Sequence, residues 1–444
     1  MQTLRINALA LCLMILAAAT VARGQCIETF KLARSDGQRG DSFSAAVAVS
    51  GNRATVGAPY ATGSLPRSGL AQLYDTETGE LLWTFTTDDP NTRGFGAALA
   101  MQGNLVIIGA VNDEGSGPVS IFDTDTGVEL SRFYSSLGQQ AGLFGCSVAV
   151  SGDLAVIGAS DAERCFVFDI SNPEEPVELA TFAPAVRAYQ FGASVAVSGT
   201  TVVVSHNAWF DKRAFVFDIS DPEHPLERAT LHLTSDRPES WRHGYGTPVG
   251  IDGDLAIVGT YNDEYADTRG STASLFDTKT GQQVGTLRPP QEFEYDLFGV
   301  SVCLSGTVAA VGSVDFSGRQ MPRVFLYDVS HPADPIPIGQ LAPGEFDWWG
   351  NFAWTVAIAD SSAIVGDPWD VGNEPESGAA YLYDLTRCDF CPADFNRDGE
   401  LDTRDVLDFL NAWTAGDPEA DFNYDGDLDT RDVLAFLNAW TAGC

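Results

Sequence analysis

The sequence predicts an all-β propeller of seven blades followed by a short all-α unit. Three observations carry this. A strand-rich unit of about 50 residues recurs seven times between positions 27 and 388, an orphan strand precedes the first copy while the last copy falls one strand short, and a pair of near-identical acidic segments closes the chain.

Taken from the start, Arg5 precedes an apolar run from Leu9 to Ala19, and small residues follow as far as Ala22. That order of charge, apolar run and small residues reads as a signal peptide over 1–24. The run is too short to cross a bilayer, and no later stretch supplies the roughly 18 apolar residues a spanning helix needs. The mature chain is therefore expected to be secreted, at the cell surface or free, with no membrane span. The organisation expected is 1–24 signal peptide, 25–388 propeller and 389–444 terminal module.

Sixty-one acidic against 25 basic residues give a net charge of −36, with Lys31, Lys212 and Lys279 the only lysines. Such a field repels nucleic acid and anionic lipid and favours cations, so a nucleic-acid partner is not expected. Of eight cysteines, Cys12 leaves with the signal peptide, so seven remain in an oxidising compartment and at least one stays unpaired.

The clearest copy of the repeat opens with Phe144-Gly145-Cys146-Ser147-Val148-Ala149-Val150-Ser151-Gly152 and continues with Leu154-Ala155-Val156-Ile157-Gly158-Ala159. The opening recurs from Phe43, Phe95, Phe191, Tyr245, Phe298 and Phe352, and the second segment recurs as ATVGAP, VIIGAV, VVVSHN, AIVGTY, AAVGSV and AIVGDP. A third segment ends in Asp each time, as in AQLYD, CFVFD and AYLYD, and six units carry a fourth. Segments of four to eight residues, β-branched and aromatic, bounded by Gly, Asp or Pro, are strands. Four of them make one blade, and blades bury their faces only by stacking round an axis. Small residues in the first strand, such as Ala149, Ala196 and Cys303, suit the crowded centre.

The seventh unit stops after its third strand, Tyr381 to Leu385, and the orphan strand Ile27 to Leu32 is expected to complete it. That closure leaves no exposed edge between first and last blades. It brings Cys26 beside Cys388 and predicts a disulfide, worth roughly 4–5 kcal/mol in the chain-entropy model for so long a loop. Cys146, Cys165 and Cys303 fall on non-adjacent strands and are expected to be buried and unpaired.

The Phe-Gly opening and the Gly-Ala-Pro-like close of the second strand resemble FG-GAP repeats, the blades of integrin-type propellers, over most of 41–385. Members of that family that bind calcium in their blades use a loop between the first and second strands. Here that connection is only Ser-Gly-Asn or Ser-Gly-Asp, too short for an ion that takes six to eight oxygens, so no calcium is expected in the blades. Locally, VFDISNPEEPVELATF (167–182) and VFDISDPEHPLERATL (216–231) resemble LVIVD repeats of bacterial surface propellers. DTETGELLW (75–83) resembles the tryptophan-docking motif of quinoprotein propellers, but only one unit has it.

Long, irregular connections all share one face of the ring, among them Tyr60 to Ser68, His206 to Lys212, Tyr261 to Ser271, Trp348 to Asn351 and Pro368 to Ser377. They carry Trp209, Trp241, Tyr261, Tyr265, Trp348, Trp349 and Trp369 among many carboxylates. Aromatic faces and acids suit a carbohydrate or protein ligand there, while packing between blades would use the same rings. No catalytic constellation is expected: the histidines, His206, His224, His232, His243 and His331, form no ligand pair and have no adjacent nucleophile signature.

After Cys391 the pattern changes to ADFNRDGELDTRDVLDFLNAWTAG (393–416) and ADFNYDGDLDTRDVLAFLNAWTAG (420–443). Asp394, Asn396, Asp398, Asp402 and Asp405 take loop positions 1, 3, 5, 9 and 12, with Gly399 at 6 and the carbonyl of Glu400 at 7. In the second copy Asp421, Asn423, Asp425, Asp429 and Asp432 match, with Gly426 and the carbonyl of Asp427. Alternating side chains round a tight turn make a calcium loop, so two Ca2+ ions are expected, with folding coupled to their binding. An apolar helical face follows each loop, Val406 to Trp413 and Val433 to Trp440. A loop then a helix, twice, resembles the type I dockerin module, which implies a cohesin-like partner. By that resemblance Thr403, Arg404, Thr430 and Arg431 at positions 10 and 11 are the partner-binding residues, and their repetition gives a near-symmetric surface. Cys391 and Cys444 frame the module. They form a disulfide, or the Gly-Cys end is processed or attached, as in bacterial proteins this one resembles.

The function expected is a secreted, non-enzymatic binding or scaffold propeller attached through a calcium-dependent dockerin. The alternative is a carbohydrate-active enzyme or accessory subunit that its dockerin recruits to a polysaccharide-degrading complex.

Overall fold

The structure is a computed structural model that describes residues 25–90, 92–111, 116–207, 213–233, 247–260, 271–289, 297–314, 321–344, 351–370, 376–388, 393–396, 401–417, 420–423 and 427–442. Seven sheets appear: five of four consecutive antiparallel strands, one of four that gains a fifth, parallel strand from the N-terminus, and one of three closed by the N-terminus. In blade 3 the strands are Phe144–Ser151, Leu154–Ala159, Arg164–Asp169 and Val177–Phe182. Its two middle strands are buried on both faces, which is why they read as unbroken apolar runs rather than as alternation. The first strands of successive blades touch all the way round, blade 7 meeting blade 1, so the ring is closed.

The recurring Phe-Gly and Gly-Ala-Pro segments meet between blades. Gly145 opens blade 3 with φ +90°, and its carbonyl faces Gly109 of blade 2, where an added Cβ would stand 2.1 Å from that oxygen. Gly158 meets Gly192 of blade 4 in the same way, again at 2.1 Å. At these two seams the close backbone approach requires both glycines. In blades 1 and 7 the first glycine is replaced by Ser44 and Ala353, which hold φ of 76° and 74°, a conformation that disfavours a side chain.

Two turn types finish the blades. The aspartate ending each third strand accepts backbone N–H bonds from the turn, as Asp75 does from Thr78 (2.9 Å), Asp169 from Ser171 (2.8 Å) and Asp384 from Thr386 (3.0 Å). The short Ser-Gly turns after the first strands link blades instead: Gly152 N–H donates to Gln102 (2.8 Å), Gly199 to Ser151 (2.9 Å) and Gly253 to Ser198 (3.0 Å).

Closure differs from the expectation in one respect. The orphan strand serves two blades rather than one: Gln25–Ile27 runs parallel to Ile336–Ala342 of blade 6, and Phe30–Leu32 then pairs antiparallel with Ala379–Asp384 of blade 7. The physical reason is the apolar outer strand of blade 6, Ile336-Pro-Ile-Gly-Gln-Leu-Ala, a free edge that the extra strand covers. Cys26 and Cys388 are disulfide-bonded as predicted, with Cα atoms 5.2 Å apart and a sequence separation of 362. Lys31 pairs with the buried Asp370 (2.9 Å) and Arg39 with Glu376 (2.8 Å), both reinforcing the latch. Cys146, Cys165 and Cys303 are unpaired, and burial raises all three thiols.

Beyond the ring stand two helices, α1 (Thr403–Ala415) and α2 (Thr430–Ala442). Each presents one apolar face, and together they bury Phe409, Phe422 and Phe436 with Ala393 and Ala420. Among the described residues, no helix is long and apolar enough to cross a membrane.

Candidate functional site

The two loop-helix units are related by an approximate twofold. Phe409 and Phe436 stack across it with ring centroids 4.1 Å apart and planes 4° from parallel. Phe395 and Phe422 meet these rings edge-on. The indole of Trp413 donates to the Asp429 carbonyl, and that of Trp440 donates to the Asp402 carbonyl, both at 3.0 Å. Each helix is thereby hydrogen-bonded to the loop end of the other unit.

Position 12 of each loop is a fully buried carboxylate. Asp405 accepts from the N–H groups of Asn396 (3.1 Å) and Asp402 (2.9 Å), the latter completing a capping box for α1. Asp432 accepts from Phe422 (2.9 Å), Asn423 (3.3 Å) and Asp429 (2.8 Å). The last loop position therefore sits against position 3 in both loops, and against position 2 as well in the second, so each loop is curled on itself. Asp394, at position 1, is also buried, at 6% exposure. Among the described residues no group of three or more His, Cys, Asp or Glu side chains forms a metal cluster. Asp398, Glu400, Asp425, Cys391 and Cys444 lie outside the described residues.

The position-9 acids are turned outward. Asp402 accepts from the backbone N–H of Arg404 (2.7 Å) and from its guanidinium (2.7 Å), and Asp429 does the same with Arg431 at the same two distances. These bonds, guanidinium first and backbone second, hold both carboxyls below the usual aspartate range. Arg404 and Arg431, expected at a partner surface, stay largely exposed at 56% and 60%. Leu407 and Leu434, counted with the apolar helical faces by their spacing in the sequence, instead stand beside these arginines, each 60% exposed.

On the long-loop face, Trp369 is 37% exposed and meets Trp354 edge-on at 5.0 Å. Trp209, Trp241, Tyr261, Tyr265, Trp348 and Trp349 fall outside the described residues. Three tyrosines that the sequence did not single out, Tyr60, Tyr134 and Tyr189, lie on this face and are 54%, 44% and 57% exposed. Tyr134 donates to Asp89 (2.7 Å), and burial together with that carboxylate pushes its phenol up to about 12. Of the histidines, His206 is buried edge-on to Phe215, and His224 pairs with Asp221 in its own turn, 3.1 Å away. Trp83, from the lone tryptophan motif, docks on Gly127 of the next blade and donates to the Thr124 carbonyl (3.1 Å).

Two repeat families match the ring. The FG-GAP repeat profile covers residues 27–74 and 350–383, the stretches that meet where the ring closes. The LVIVD repeat profile covers 145–183, within blade 3 and its approaches. No curated protein matches the chain significantly. Among solved structures, a chain of the mitotic checkpoint complex has a TM-score of 0.52 at 11% identity, covering 81% of this chain and 94% of its own. Hsv2 from Kluyveromyces lactis has a TM-score of 0.45 at 12% identity, with 71% and 87% covered. At such identity the first likeness concerns the fold alone. With FG-GAP repeats flanking the latch, the glycine pairs at the blade seams give that motif its physical meaning here.

Proposed function

We propose that the chain is a secreted, non-enzymatic binding propeller, held in place by a calcium-dependent dockerin-type module that docks on a cohesin-like domain. The observation that carries this reading is the pair of curled loops, each closed by a buried position-12 aspartate that accepts from the backbone N–H of position 3 and of position 9, and in the second loop of position 2 as well. A loop folded back in this way, with carboxylates and asparagine alternating along it, fits the oxygen set of Ca2+. Asp394, Asn396, Asp398 and Asp405 would hold one ion, with the Glu400 carbonyl. Asp421, Asn423, Asp425 and Asp432 would hold the other, with the Asp427 carbonyl. Asp402 and Asp429, at position 9 and facing Arg404 and Arg431, would complete the two sets. Exposed Tyr60, Tyr134, Tyr189 and Trp369 support a carbohydrate or protein ligand on the long-loop face.

Calorimetric titration of the full chain with calcium tests the module. Two saturable sites are expected, with helix content that falls on chelation and a propeller signal that does not. Absence of saturable binding at millimolar calcium overturns the reading, and Asp394→Ala combined with Asp421→Ala is expected to abolish both sites.

A further inference from the structure

The two faces of the terminal module are chemically alike, but their surroundings are not. Thr403, Arg404 and Leu407 form one face, and Thr430, Arg431 and Leu434 the other. Water reaches both equally, since Leu407 and Leu434 are each 60% exposed. Arg431 and Leu434, however, line a cleft of about 320 Å³ whose opposite wall is the propeller, with Arg288, Tyr327, Pro335 and Pro337 among its residues. No residue of α1 lines it.

We infer that blades 5 and 6 reserve the α2 face for the chain itself, so that a folded partner docks on the α1 face alone. The partner's identity rests on the dockerin reading, whereas the one-sided access rests on the cleft. A space of that size admits about ten water molecules, or a small solute, at roughly 30 Å³ each. A folded domain needs a contact of about 800 Å² per partner, which the propeller wall denies on the α2 side. Two further observations hold the module there. Ile336 of blade 6 packs against the apolar cluster of the module. The chain is also pinned at Cys388 by the disulfide, and Ala393 follows five residues later, so the tether reaches at most about 18 Å. The α1 face offers an apolar spot at Leu407 flanked by the Thr403 hydroxyl and the Arg404 guanidinium. It therefore suits a domain with an apolar platform rimmed by carbonyl or carboxylate acceptors.

Variants that each add one cysteine to the calcium-loaded full chain test the access. Leu407→Cys and Leu434→Cys, both at exposed positions, are treated in parallel with a small maleimide and with the same maleimide on a long polyethylene glycol, and the wild-type chain serves as blank. The small reagent is expected to label both variants at similar rates. The bulky one is expected to keep its rate on Leu407→Cys and lose most of it on Leu434→Cys. Equal rates with the bulky reagent overturn the inference, whatever the partner is. A second arm measures binding to a recombinant type I cohesin domain. Leu407→Glu is expected to weaken it about 30-fold, the effect of losing an interface anchor, and Leu434→Glu to leave it unchanged. Equal losses in both variants overturn the inference, while a wild-type chain that binds no cohesin counts against the dockerin reading and leaves the labelling arm to decide access.

Discussion

The ring and the terminal module are both built by repetition, but their copies meet differently. In the ring, each blade contacts the next with unlike surfaces: Gly109 meets Gly145, Trp83 meets Gly127, and Gln102 accepts from Gly152. Contacts of that kind propagate until something closes them. In the module, like meets like: Phe409 stacks on Phe436, and Trp413 and Trp440 exchange equivalent bonds. Two copies complete it. The difference explains why the propeller needs a latch, supplied by the N-terminal strands and the Cys26–Cys388 bond, whereas the aromatic core of the module is completed by its own two copies.

Removing the latch should break the comparison most. Cys26→Ser with Cys388→Ser is expected to destabilise the propeller by about 4–5 kcal/mol, below the ~6 kcal/mol that the chain-entropy model sets as the ceiling for a separation of 362 residues, while the helices keep their own transition. Denaturant unfolding, followed separately by near-ultraviolet and helical circular dichroism signals, checks it, and an unmoved propeller midpoint would count against the latch. At the seams, Gly158→Ala places a Cβ 2.1 Å from the Gly192 oxygen and 2.2 Å from Ser147 Oγ, so a cost of about 1–3 kcal/mol is expected. The control Gly152→Ala, with φ +59° and nothing within 4 Å, should cost about 1–2 kcal/mol, all of it from the left-handed backbone and none from a clash. Similar losses at both positions would remove the seam argument.

The smallest effect expected is acid sensitivity of the blade ends. Backbone N–H bonds from the following turns depress Asp169, Asp218 and Asp277, and the Thr386 hydroxyl depresses Asp384. A folded-state value below the unfolded one contributes stability above the unfolded pKa of 3.8, and that stability is lost as pH falls through the folded value. Propeller midpoints should therefore hold down to about pH 4 and decline below it. Asp169→Asn should flatten the decline, and an unchanged slope would assign it to other acids.

Blade number, strand order and the disulfide were legible because each depends on local pattern plus one topological requirement, that a ring must close. The split of the N-terminal strand was not legible. Gln25–Ile27 chooses blade 6 because the outer strand there is apolar, and that fact belongs to a neighbour more than 300 residues away. The aromatic twofold of the module could be anticipated from spacing, since Phe409 and Phe436 occupy equal places in their copies. The outward turn of Asp402 and Asp429 could not. Their oxygens serve as helix caps and Arg partners at the same positions that a calcium-loop pattern assigns to ligands. Exposed Tyr60, Tyr134 and Tyr189 were missed for the opposite reason: isolated tyrosines in loops carry no pattern until the fold brings them to one face.

The position of the disulfide also decides how the molecule bears load. A pull on the terminal helices enters the ring at Cys388 and passes at once through a covalent bond to Cys26. From there it spreads into strands on two blades, 6 and 7, so that more than one set of ladder hydrogen bonds shares the tension. Without the bond, the same pull would act on the last strand of blade 7 alone and could peel the ring open from its end. With it, a tethered propeller resists tension as a closed hoop does.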